Sequence, residues 1–194
     1  MTDPLLLDLP STLHSERLLL RVPQAGDGPA LHAAVAESMP ELRRFLASLP
    51  WVAADQSIER SEIYCRTAQA NFVARRDMPY LLFEKASGQL VGCSGLHRPE
   101  WATPKLEVGY WVRSSCSGKG FVSEAVAALT ELAFGALHAA RLELITDAEN
   151  TASRRLALRC GFVLEGVLRH ERRAPDGSLR NTCVYARLAP MPDV

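Results

Sequence analysis

Charge of one sign is what this chain most plainly lacks: its 22 lysines and arginines meet 22 aspartates and glutamates over 194 residues. That balance argues against the broad basic field of a nonspecific nucleic-acid binder. Long apolar runs are missing too, and none approaches the roughly 20 residues that span a bilayer. The opening MTDPLLLDLP is acidic and its apolar run is only three residues, so it reads as neither a secretory signal nor a transit peptide. Cysteines are few and scattered: Cys65, Cys93, Cys116, Cys160 and Cys183 form no CxxC pair, which excludes the usual zinc and redox spacings and fits a reduced cytoplasm. No metal, nucleic-acid partner or membrane is therefore expected. What the chain does have is 47% apolar residues, enough to fill a sizeable core.

ERLLLRVP, Glu16 to Pro23, reads as a strand, and Asp27 with Pro29 starts a helix through Leu31, Val35 and Glu37. A second helical stretch covers Glu41 to Ser48, LPWV is an aromatic turn, and a longer helix runs from near Asp55 to about Arg75. YLLFEKASGQLVGCSGL reads as a hairpin around Ala86-Ser87-Gly88, and KLEVGYWVR as the third strand of an antiparallel meander. Phe121 to Leu137 is apolar nearly all round, the pattern of a mostly buried helix. RLELITD is a short buried strand and TASRRLALRCG a short helix capped by glycine. FVLEGVLR and NTCVYARL form a hairpin around Asp176-Gly177. No repeat or linker divides the chain, so residues 1–194 read as one mixed α+β domain.

The stretch SSCSGKGFVSEAV, Ser114 to Val126, carries the chemistry. A polar glycine turn that opens a helix presents backbone N–H groups to an anion, most often a phosphate. Gly118-Lys119-Gly120 lacks the third glycine of the dinucleotide fingerprint, and no Ser or Thr follows Lys119 as in a P-loop. A plain tight connection between strand and helix stands beside the phosphate reading.

The order EVGYWV, GKGFVSEAV, ENTASRRLALRCGF, LEG and YARL between Leu106 and Leu188 resembles the GNAT superfamily of acetyl-CoA-dependent N-acetyltransferases, and within it the RimJ/RimL branch. The resemblance implies a central, mostly antiparallel sheet that splays beside the strand before the turn, flanked by helices, with the cofactor-binding half at about 105–170. It implies that acetyl-CoA is the cosubstrate and that the backbone of Ser115, Cys116, Ser117, Gly118, Lys119 and Gly120, leading into Phe121, binds the pyrophosphate. The backbone around Trp111, Val112 and Arg113 would pair with the pantetheine arm, and Asn150 and Ser153 would face the thioester. Ser115 stands where the family usually has Gln or Arg, a change that spares backbone donors and leaves phosphate side-chain contacts to Arg113 or Lys119.

Acetyl transfer to an amine needs a neutral nucleophile, a polarised carbonyl and a proton for the departing thiolate. Glu107 is the first candidate for base or amine-positioning group, against a purely structural ion pair; Glu171 is the second, although the family position aligns with Arg172. Ser153 is the candidate proton donor and Asn150 the orienting group, with helix capping by NTAS as the alternative. A main-chain N–H near Val112 would polarise the carbonyl. An acyl-cysteine at Cys116 has no histidine beside it in sequence to support it. Tyr110, Trp111 and Trp51 would wall the acceptor pocket, or pack in the core. The arginines of RHERR, with Arg154, Arg155 and Arg159, suit an acidic acceptor or the cofactor 3'-phosphate, or form a solvated face. The acceptor expected is a primary amine, first of all a protein or peptide N-terminus. The alternatives are a small amine or aminoacyl antibiotic, or a non-catalytic acyl-CoA sensor. A homodimer is compatible with the family.

Overall fold

β-Branched and leucine-rich runs build one eight-stranded sheet, seen here in a computed structural model that describes residues 3–174 and 176–190. The ends of the expected 1–194 span, Met1 and Thr2 and residues 191–194, lie outside the described residues. The strands are β1 (Thr12–His14), β2 (Leu18–Arg21), β3 (Met78–Glu84), β4 (Leu90–Glu100), β5 (Lys105–Val112), β6 (Arg141–Asp147), β7 (Val163–Arg173) and β8 (Leu179–Leu188), and the helices are α1 (Gly28–Leu46), α2 (Pro50–Ala53), α3 (Ile58–Val73), α4 (Phe121–Phe134) and α5 (Thr151–Arg159). The sheet order is β1-β2-β3-β4-β5-β6-β8-β7. Every neighbouring pair is antiparallel except β5 and β6, which are parallel. The mixed α/β architecture and the mostly antiparallel sheet expected from the sequence are both present.

The parallel pair is also the shortest match between long strands. Only Lys105, Leu106 and Glu107 pair with Arg141, Leu142 and Glu143. Beyond Glu107, β5 and β6 part company, because β5 stays registered on β4 as far as Val112 while β6 stays registered on β8 as far as Asp147. The sheet thus opens as a wedge at its centre.

One face of the sheet carries α4, which packs on β2, β4 and β5 through Phe121, Val122, Ala125, Val126, Leu129 and Ala133. The opposite face carries α1 on β4 and α3 on β3, enclosing Leu31, Val35, Met39, Leu42, Cys65, Leu81 and Cys93. Side-chain alternation along β4 and β5 sends Cys93 and Trp111 to the α1 side and Val108 and Tyr110 to the α4 side. Tyr110 and Trp111, expected to wall one pocket, therefore line the cleft between β5 and β6 from opposite faces of the sheet.

Several boundaries differ from the sequence expectation. The two helices expected before residue 48 are one, because the buried stripe Leu31, Ala34, Val35, Ser38, Met39 and Leu42 runs unbroken past Pro40. Packing of that stripe outweighs the backbone hydrogen bond that proline removes. The LPWV turn is the single helical turn α2, and the helix expected from Asp55 starts at Ile58, with the Ser57 side chain accepting from the Arg60 N–H. Helix α4 ends at Phe134 because Gly135 caps it, although Leu137 stays buried. Strands β4 and β7 run longer than their apolar cores, and β1 escaped notice because three residues carry too little pattern to read.

Ser38 is fully buried; its hydroxyl donates to the Ala34 carbonyl at 2.7 Å and accepts from the Ser114 N–H at 3.0 Å. It fastens α1 to the segment after β5. Ser38→Ala leaves that N–H without its partner, and the expected loss is about 1–3 kcal/mol, read as a lower urea midpoint at unchanged slope.

Candidate active site

The wedge between β5 and β6 is the waist of a cleft of about 1780 Å³ that passes from the α1/α3 side of the sheet to the α4/α5 side. Its edge on β5 follows from strand geometry. The Arg113 N–H donates to the Val91 carbonyl at 2.8 Å, so odd-numbered residues of β5 turn their backbone groups to β4. The Pro104 carbonyl, at an even position, accepts from Ala140 and Arg141 at the start of β6. The backbone groups of Val108, Tyr110 and Val112 consequently face the opening. This amends the expectation for the pantetheine edge: Val112 faces the opening, whereas the amides of Trp111 and Arg113 are directed to β4.

The glycine turn is likewise divided. Ser115 N–H donates to Glu37 Oε1 at 3.0 Å, Cys116 N–H to the Arg113 carbonyl at 2.8 Å, and Ser117 N–H to the Ser114 carbonyl at 3.1 Å. Among the described residues, the N–H groups of Gly118, Lys119, Gly120, Phe121 and Val122 find no acceptor. Of the amides expected to meet the diphosphate, Ser115 is thus claimed by α1 and Cys116 and Ser117 by carbonyls of the turn itself, whereas Gly118, Lys119 and Gly120 are free, a run that continues into Phe121 and Val122. Gly118 (φ 77°) and Gly120 (φ 83°) hold left-handed backbone, and nothing lies within 4 Å of where a Gly118 side chain would begin. That combination of free donors, helix N-terminus and open approach fits a diphosphate.

Two elements hold this turn from either side. From the β1–β2 connection, Arg17 donates to the Lys119 carbonyl at 2.9 Å, pairs with Glu124 and lies over the Phe121 ring at 4.9 Å. From α1, Glu37 receives Arg113 Nε at 2.5 Å, and Glu41 receives the Ser114 hydroxyl at 2.8 Å. The Ser115 hydroxyl and N–H, then Arg113, hold the Glu37 carboxyl down at about 2. Arg113, offered from the sequence as a phosphate contact, is thereby paired through Nε with Glu37. The Lys119 side chain is exposed beside the free amides, and Arg155 and Arg159 line the same part of the cleft. Arg154 is taken up by the Tyr185 hydroxyl and the Ala148 carbonyl. Cys116 is buried, its thiol 3.9 Å from Gln89 Oε1, with no imidazole near it.

Asn150 caps α5, its side chain accepting from the Ser153 N–H at 3.1 Å. That leaves the Ser153 hydroxyl free, and it meets the Tyr110 hydroxyl at 2.7 Å across the wedge. Burial raises the Tyr110 phenol to about 12 even though the Ser153 bond works the other way, so it stays protonated at neutral pH. Tyr110 as the partner of Ser153 was missed by sequence reasoning; strand alternation after Glu107 was the signal for its face. Glu107 lines the cleft on the opposite face, where Arg98 Nη1 approaches its carboxylate at 2.5 Å. Burial raises its pKa, partly countered by Arg98 and His97. Glu171 and Arg172 both line the cleft despite being neighbours, because the β7 register shifts between Leu168 and Arg172. The Glu171 carboxylate accepts from the Thr182 hydroxyl at 2.6 Å.

The opened sheet and the free amides at the start of α4 accompany the motifs GKGFVSEAV and ENTASRRLALRCGF, and residues 17–163 match the acetyltransferase (GNAT) domain family. The chain belongs to the GNAT acetyltransferases. It is 28% identical over 178 residues to the uncharacterized N-acetyltransferase YoaA of Bacillus subtilis, covering 92% of this chain and 97% of the relative. It is also 28% identical over 144 residues to the ribosomal-protein-serine acetyltransferase of Escherichia coli, covering 73% and 77%. Among solved structures, RimL, the ribosomal L7/L12 alpha-N-protein acetyltransferase in complex with coenzyme A, superposes with a TM-score of 0.81 at 25% identity, covering 90% of this chain and 96% of that one. The microcin C7 self-immunity acetyltransferase MccE, solved with acetyl-CoA and AMP, gives 0.83 at 21% identity, covering 93% and 97%, which shows the shared fold. This GNAT enzyme is thus of the RimJ/RimL type and takes acetyl-CoA.

The ties around the turn give a first kinetic expectation. Glu37→Ala raises KM for acetyl-CoA about fivefold with kcat within about twofold, since the turn serves ground state and transition state alike. Because the Glu37 carboxyl is depressed in the fold, its tie is complete above the ordinary value of 4.5 and fades as the pH falls toward about 2. KM therefore gains no Glu37-linked change between about pH 6 and 8.

Proposed function

We propose that this protein acetylates the free α-amine of a protein or peptide. The observation that carries this reading is the shape of the cleft on the α1/α3 side. There the lining includes Trp51, Ile63 and Tyr64, which are 38%, 56% and 40% exposed. A broad apolar mouth of this kind suits an extended chain terminus that reaches inward, more than a small molecule that must be enclosed. The E. coli relative that acetylates ribosomal-protein serine supports the same class of acceptor.

Acetyl-CoA supplies an activated acyl group. The amides of residues 118–122 would hold its diphosphate, and the exposed edge of β5 at Tyr110 and Val112 would align the arm and polarise the carbonyl. Ser153, backed by the protonated Tyr110 hydroxyl, would hand a proton to the thiolate. Glu107, held by Arg98, would attract and orient the amine, with Glu171 on the far side of the mouth. The reading places the enzyme in the cytoplasm, where such acceptors are made. No described helix is long and apolar enough to cross a membrane.

The deciding experiment offers acetyl-CoA with unblocked peptides, the same peptides formylated at the N-terminus, and putrescine, then locates any acetyl group by tandem mass spectrometry. Acetyl on the α-nitrogen of the unblocked peptides alone is expected. Exclusive modification of putrescine overturns the peptide reading, and tight coenzyme A binding without turnover overturns the enzyme reading. Ser153→Ala is expected to lower kcat about 10²-fold with little change in KM for acetyl-CoA. Tyr110→Phe is expected to lower kcat by a smaller factor.

A further inference from the structure

One imidazole in the cleft has no place in the account so far. His97 lies on β4 directly across from Glu107 on β5, and both side chains project to the α1/α3 face. Its Nδ1 is 2.6 Å from Asp77 Oδ1, in the segment just before β3. A carboxylate oxygen accepts, so in the neutral ring the tautomer that satisfies this bond has its hydrogen on Nδ1 and its lone pair on Nε2. Among the described residues Nε2 has no hydrogen-bond partner, and the ring lines the cleft with 31% of its side chain exposed.

The position of the ring is built into the sheet. It lies across Gly95 and Gly109, a cross-strand pair. A Cβ on Gly95 would stand 2.9 Å from Cε1, and one on Gly109 would stand 2.9 Å from Cδ2 and 3.1 Å from Nε2. Side chains at either position would push the ring away. Nε2 is thereby set over Gly109, between Val108 and Tyr110, whose backbone groups face the wedge. The chain then bulges: β4 loses register after His97, and Arg98 adopts a left-handed φ of 50° immediately before Pro99. That conformation is costly before proline, and it delivers Arg98 onto Glu107. A carboxylate so engaged is suited to orient an ammonium and ill placed to take its proton.

We propose that His97 is the proton acceptor for acetyl transfer and that Asp77 positions it. This rests on the acetyltransfer reading above and specifies the amine side of that site. The nitrogen lone pair forms the bond to the thioester carbonyl carbon while an N–H proton passes to Nε2, giving an imidazolium paired with Asp77. The C–S bond breaks with its electrons on sulfur, which takes a proton from the Ser153 hydroxyl pair. His97 then returns its proton to solvent, and the hydroxyl pair is reprotonated from solvent. One N–H is lost and one S–H is made.

The other titratable groups lining the cleft on this face are Arg76, Asp77, Arg98, Glu107, Cys93 from β4, Glu41 from α1, Asp55 from the segment before α3, Arg60 and Tyr64 from α3, and Glu171, Arg172 and Arg173 from β7. None is an imidazole, the side chain that ordinarily changes charge between about pH 5 and 8. The test measures coenzyme A release with acetyl-CoA and unblocked peptides beginning with Ser, Ala or Met, and with putrescine, from about pH 5.5 to 9.5. For His97→Ala, kcat/KM is expected to fall about 10²-fold near neutrality and the loss to shrink above about pH 8, where an α-amine is already neutral. Added imidazole restores turnover, while coenzyme A affinity by calorimetry stays at the wild-type value. Asp77→Asn is expected to lose about tenfold and to displace the acid limb of the pH profile. His97→Gln, which refills the space over the glycines, gives the same loss and serves if the alanine variant fails to fold. An acid limb and rates unchanged in the His97 variants overturn the proposal and leave acetyl transfer standing. A loss that imidazole does not restore, with the acid limb in place, overturns it as well. Wild-type protein inert toward every acceptor overturns acetyl transfer and this inference together.

Discussion

Three paired residues decide this molecule. Lys105, Leu106 and Glu107 hold β6, and then the parallel ladder stops. Had it continued, the backbone groups of Val108, Tyr110 and Val112 would be consumed by the sheet and the cleft would be closed. Instead β5 is kept straight by β4 and β6 is kept straight by β8, so the gap is a compromise between two antiparallel ladders that diverge. Unpaired strand edges in a protein interior are unfavourable, and here the amide-rich arm of acetyl-CoA is the natural complement.

The same opening sorts the chemistry by face. Side chains alternate along β5, so Glu107 and Trp111 lie on the face of α1 and α3, the proposed amine side, while Tyr110 meets Ser153 of α5 on the other face, the proposed thioester side. The proposed proton acceptor and proton donor thereby lie on opposite sides of one strand. The turn after β5 lies on the second side, held by Arg17 on the Lys119 carbonyl and by Glu37 on the Ser115 amide.

Much of this was legible in residue order. The glycine turn entering an apolar helix, the short helix TASRRLALR with its Asn150 cap, and the strand RLELITD fell where pattern placed them. What pattern could not supply was long-range partnership. Nothing in SSCSGKG says that Ser38 and Glu37, on a helix far upstream, would claim the amides of Ser114 and Ser115; with Cys116 and Ser117 bonded inside the turn, the free amides start at Gly118. His97 and Asp77 are 20 residues apart with unremarkable neighbours and become a pair only when β3 and β4 lie side by side. Helix α1 was divided in the sequence reading because proline is a local breaker, whereas the buried stripe that carries the helix past it is a tertiary fact.

The distance in sequence between the turn and its supports has one more consequence. Arg17 and Lys119 are separated by 102 positions, and Glu37 and Ser115 by 78. Contacts of such span carry a loop-closure entropy cost that the packing of the intervening chain must offset. The shape of the turn therefore depends on the whole chain, and a fragment beginning at β3 would keep the signature residues yet lack Arg17 and Glu37, which hold them in place.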